Sequence, residues 1–239
     1  SDFGGKLIDG ISFREGTGAT LTSKAGREWM ISGATWDIGT HGGQTWTRAN
    51  GNSGDRFQGG GAEQRITPAV VLGQPAKLDW TPQVDARTIA IYCRANVTGY
   101  RLVVTKSAST TANRQLFWWA WPNGMIFRLG GTVQTLSSGP AAGSNVSMVL
   151  ALPAAATGAK VYVNAALTPW ADGSSGDIGT ATNAADWIIG NSRAEDPNSG
   201  LSSTTGWEGT IYAVAMWNYV LPEQLIALLH QFWRSKYGA

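Results

Sequence analysis

Residues 206–239 constrain the fold more than any other stretch, because the hydrophobic period changes there once. From Ile211 to Trp217 apolar residues fill every position after the opening Gly209-Thr210. Alternation puts Ile211, Ala213, Ala215 and Trp217 on one face, with Tyr212, Val214 and Met216 on the other. A strand apolar on both faces belongs inside a layered β protein. From Leu221 the period becomes 3.6. Leu221, Leu225, Leu228, Leu229, Phe232 and Trp233 form one helical stripe. Pro222 suits the first helical position, Glu223 the positive first turn, and Arg234 and Lys236 the negative last turn. The pattern predicts a β protein ending in one amphipathic helix that covers something apolar.

Composition agrees. Of 239 residues, 43% are hydrophobic, ample for a large core, and only 14% are charged. With 31 Gly, 12 Trp and few charges, the chain suits a turn-rich antiparallel architecture. The 18 Lys and Arg residues are scattered and the net charge is +2, which argues against a nucleic-acid surface needing clustered cations. Cys93 is the single cysteine, so no intrachain disulfide can form. It alternates with Ile89 and Ile91, the pattern of a small buried apolar residue. No run of about 18 apolar residues predicts a membrane helix. The first residues show no basic-then-apolar leader pattern. The expectation is a soluble chain that folds in a reducing compartment.

Residues 1–60 are Gly-rich with short apolar pieces. Two readings stand: an N-terminal extension that supplies the first strands between long loops, or an arm that docks on a partner. Residues 61–239 carry the main domain. Strands are predicted at 66–72, 76–80, 87–94, 100–106, 116–121, 125–129, 146–152, 160–164 and 186–191. Asn123-Gly124, set between two aromatic runs, marks a hairpin. Residues 168–183 and 192–206 are polar loops. These elements predict an all-β, two-sheet antiparallel sandwich with one C-terminal helix.

The order of the motifs resembles the laminin-G-like, concanavalin A-like jelly-roll family. The resemblance covers roughly residues 60–235. It is carried by the strand at 88–94, the Pro122–Met125 hairpin and Val161-Tyr162-Val163-Asn164. Ile188-Ile189-Gly190-Asn191 and the closing Trp217-Asn218 corner with its helix complete it. The chain departs from the family at Ala165, where glycine is usual, so a different turn is expected there. Single domains of this kind resemble those of bacteriophage structural proteins. The resemblance therefore implies a virion protein that decorates a head or tail, assembled in the host cytoplasm and binding glycan or a cell-surface polysaccharide. Other virion proteins, or further copies of the chain, would be its neighbours. The alternatives are a stand-alone bacterial lectin-like module, acting outside the cell, and a glycan-active enzyme of the same fold.

Glycanases on this jelly roll need paired carboxylates at fixed separation on one strand. No such pair occurs here; Glu195 and Asp196 are adjacent and so point to opposite faces. No nucleophile elbow is present. A non-enzyme is expected. The resemblance also implies calcium at the sandwich rim, which would need six to eight oxygens. The candidates are Asp172, Asp177, Asp186 and Asp196, with Asn191 and Asn198. The competing reading makes them turn formers. For saccharide, Trp170 and Trp207 lie in polar loops, with Asn191, Arg193 and Asn198 to supply hydrogen bonds. Trp119 and Trp121 alternate against Trp118, which fits either a glycan platform or core packing.

Overall fold

The computed structural model describes residues 7–12, 20–26, 28–32, 35–38, 44–47, 65–68, 80–95, 101–107, 114–121, 124–137, 139, 141, 143–171, 173–182, 187–190 and 209–238. Sixteen strands and one helix occupy them. The strands are β1 (Leu7–Ser12), β2 (Thr20–Thr22), β3 (Glu28–Ser32), β4 (Thr35–Ile38), β5 (Gln44–Thr47), β6 (Arg65–Pro68), β7 (Arg87–Ala95), β8 (Arg101–Ser107), β9 (Arg114–Trp121), β10 (Gly124–Leu129), β11 (Thr132–Leu136), β12 (Asn145–Leu152), β13 (Lys160–Val163), β14 (Ala166–Thr168), β15 (Trp187–Ile189) and β16 (Gly209–Trp217), followed by α1 (Glu223–Tyr237).

Two antiparallel sheets make a β-sandwich. One has six strands in the order β1-β16-β7-β12-β13-β14, the other eight in the order β11-β10-β9-β8-β15-β6-β3-β2. The hairpin β4–β5 is separate. Between the sheets lies a core of Ile89, Ile91 and Cys93 from β7, Met148 and Leu150 from β12, and Trp118 and Phe127 from β9 and β10. Cys93 is fully buried, as its alternation predicts, and burial pushes its thiol pKa up.

Strands β1, β2 and β3 belong to the sheets themselves: β1 pairs with β16, and β2 with β3. The indole of Trp29 on β3 donates to Asp9 on β1 at 3.0 Å and so ties the two sheets together. The expected boundary near residue 60 lies outside the described residues. The hairpin at the Asn-Gly signal forms, with Trp121 opposite Gly124 and Trp118 opposite Phe127.

Three local expectations need correction. On β16 a bulge between Ile211 and Ala213 breaks the alternation. Ile211, Val214 and Met216 face the inner core, while Tyr212, Ala213, Ala215 and Trp217 join the cluster on the other side. Pro222 is the N-cap, not the first helical residue. The helix is also rotated from its expected stripe. Ile226, Leu229, Trp233 and Tyr237 are buried, whereas Leu228 and Phe232 remain 51% and 46% exposed.

The helix lies on the outer face of the six-stranded sheet and buries a second apolar layer with Ala90, Tyr92, Val149 and Ala151. Polar groups pin both its ends. Thr88 donates to the Tyr219 carbonyl at 2.7 Å and accepts from the Leu221 amide at 3.0 Å. Tyr162 donates to Glu223 at 3.0 Å. At the other end the Gly238 carbonyl accepts from the Tyr92 hydroxyl and from Asn145.

Candidate functional site

Trp170 shows what becomes of a loop tryptophan here. Its backbone bridges to Leu136 of β11. Its indole donates to the Ala159 carbonyl at 3.0 Å, and its ring meets Phe127 edge-on at 5.5 Å. The following residues zip along the same edge. Ala159 donates to Gly176, Ile178 to Ala156, and Gly179 to Leu129, at 3.0, 2.7 and 2.8 Å. Gly176 and Gly179 leave no room for a side chain, since a Cβ would strike the Ala159 and Gly130 carbonyls respectively. The stretch that reads as a polar loop therefore closes the edge of the sandwich, with Trp170 half-buried within it.

Of the other saccharide candidates, Trp207, Asn191, Arg193 and Asn198 lie outside the described residues, as do the calcium candidates Asp172, Asp186 and Asp196. Asp177 is half-buried, and its carboxylate accepts from Ser175 at 2.8 Å. No cluster of three His, Cys, Asp or Glu residues occurs among the described residues. Asp177 with its serine does not amount to the six to eight oxygens that calcium takes.

A different place brings unlike chemistries together. Between α1 and the β1–β16 edge runs an open groove. Its floor is small because Gly10, Ala213 and Ala215 supply almost no side chain. Trp217, Trp233 and Tyr237 lie along it but are only 1–4% exposed, whereas Phe232 is half-exposed. Lys24 and Lys236 are its charged lining residues. The Lys24 amide donates to the Gly10 carbonyl at 2.8 Å, which fixes the turn after β2 against β1. The methylenes of Lys24 lie over Gly10, where a Cβ would meet its Cδ at 3.5 Å. Lys236 sits 5.5 Å from the Phe232 ring centre and 5.0 Å from that of Tyr237, at cation–π distance. The lining holds no carboxylate, histidine or thiol among the described residues.

Sequence reasoning missed this groove. Its helix residues read as a lid, and Lys24 carries no local motif.

One further polar pair lies under the helix. Ser147 on β12 sits 2.8 Å from Nδ1 of His230. Ser147 is 1% exposed, sealed from solvent by α1. Burial first, and the nearby Arg234 second, hold the His230 pKa below its usual value.

No protein-family profile matches the chain, and no curated protein matches its sequence. Solved structures do match in shape. Trypanosoma rangeli sialidase in complex with sialic acid superposes with a TM-score of 0.62 at 11% identity, over 98% of this chain and 34% of that one. The binding domain of botulinum neurotoxin serotype D/C gives 0.63 at 13% identity, over 95% of this chain and 52% of that one. Botulinum neurotoxin type C, described as entering cells through interaction with two ganglioside molecules, gives 0.63 at 12% identity, over 97% and 52%. The chain thus spans about a third to a half of these structures, and the likeness establishes the β-sandwich fold.

Proposed function

We propose that this chain is a non-catalytic carbohydrate-binding β-sandwich module and that the groove beside α1 is its saccharide site. The observation that carries the reading is the groove itself: a small-residue floor, the half-exposed Phe232 ring and the side chains of Lys24 and Lys236 line one opening outside the sandwich core. Sugars pack their C–H faces on aromatic rings and use polar groups for orientation. The described lining offers no pair of carboxylates of the kind glycoside hydrolysis uses, which favours binding over turnover. Two neighbours of the same fold, a sialidase in complex with sialic acid and a neurotoxin that interacts with ganglioside, support the ligand class. Screening the purified chain on a glycan array, with a reducing-sugar release assay on every binder, tests both halves. Absence of any binder removes the module reading. Release of sugar removes the non-catalytic one.

The finer reading places the module on a bacteriophage head or tail, among other virion proteins. Its support is the motif order in the sequence. Its test is mass spectrometry of purified particles, and absence from them leaves the stand-alone lectin-like module.

A further inference from the structure

We draw no further inference here: the strongest candidate, the apolar rim that Val84, Val220, Ala154, Ala155 and Ala156 leave exposed at the ends of the adjacent strands β7, β16 and β12, carries none because nothing in the structure shows what covers it.

Discussion

Two aromatic regions of this chain bury their rings by different means. At the β11 edge, Trp170 sits among Gly, Ser and Asp, yet its indole proton, ring face and backbone are all engaged in closing the sandwich. Beside α1, Trp233 and Tyr237 stand among His230, Gln231, Arg234, Ser235 and Lys236, yet both are buried against the sheet, while Phe232 one position away is half in solvent. The difference teaches that polarity of neighbours in sequence says little about access. Access depends on whether backbone groups around a ring must find partners. The edge loop has amides and carbonyls to satisfy and folds onto the strands to do so. The helix satisfies its own backbone, so its side chains are buried or exposed by the face they occupy.

The comparison is sharpened most by removing one support from each region. Trp233 on the buried face of the helix is 4% exposed, its ring tilted against Tyr92 with centroids 5.9 Å apart. Trp233→Ala should cost about 3–5 kcal/mol and lower the melting temperature by roughly 10 °C. Its neighbour Phe232 should cost within about 0.5 kcal/mol when cut to alanine. At the edge, Gly176 has φ +75° and faces the Ala159 carbonyl and the Trp170 indole nitrogen. Gly176→Ala should therefore cost roughly 2–4 kcal/mol. Denaturant unfolding of the three variants is the measurement. A Phe232→Ala loss as large as that of Trp233→Ala would erase the distinction between the buried and the half-exposed ring.

A second lever is pH, because described titratable groups with shifted pKa values gather on the helix side. His230 titrates below its usual value in the folded chain. The folded state then binds fewer protons than the unfolded one. Stability from the neutral imidazole is present above about pH 6.5 and is lost as pH falls through the folded pKa. Burial, with Tyr212 adding to it, raises Tyr92 to about 12; burial and the Glu223 hydrogen bond raise Tyr162 to about 12. Raised folded values reverse the sign. That stability is complete below pH ~10 and is lost on the way to 12. Amide exchange of α1 should accelerate on both flanks before that of β10 and β11 does. His230→Gln should remove the acid flank only. Uniform acceleration of all three elements would mean that the helix is not a separable unit.

Much of this was legible in the sequence, for physical reasons that also mark its limits. The sandwich and its closing helix follow from two clear periods. The phase of β16 does not. Ile211 to Trp217 is apolar on both faces, so no polar residue marks which side Ala213 takes, and the bulge after Ile211 decides it. The rotation of α1 was ambiguous for the same reason: Leu228 and Phe232 compete with Ile226 and Tyr237 for the buried side. The groove needed three distant elements to meet at Gly10, Lys24 and Lys236. No spacing rule reaches that far.

The smallest expected effect concerns the corner where sequence suggested a different turn. Asn164 and Ala165 join β13 to β14 with φ +50° and +67°, both left-handed, and Val163 pairs with Ala166 across them. A two-residue hairpin with both residues left-handed is a type I′ turn, which glycine ordinarily serves. Ala165 takes the left-handed conformation without being glycine, at a cost of about 1–2 kcal/mol in crowding at Cβ. Asn164 earns its position separately, because its side chain accepts from the Ser147 amide at 3.1 Å, beside the residue that meets His230. Ala165→Gly should relieve the crowding, while glycine's freedom in the unfolded chain takes back roughly 0.5–1 kcal/mol. The net gain is about 0.5 kcal/mol, or a rise of roughly 1–2 °C in melting temperature. A fall instead would mean that the Ala165 methyl, packed against the helix-side cluster, contributes more than its strained backbone costs.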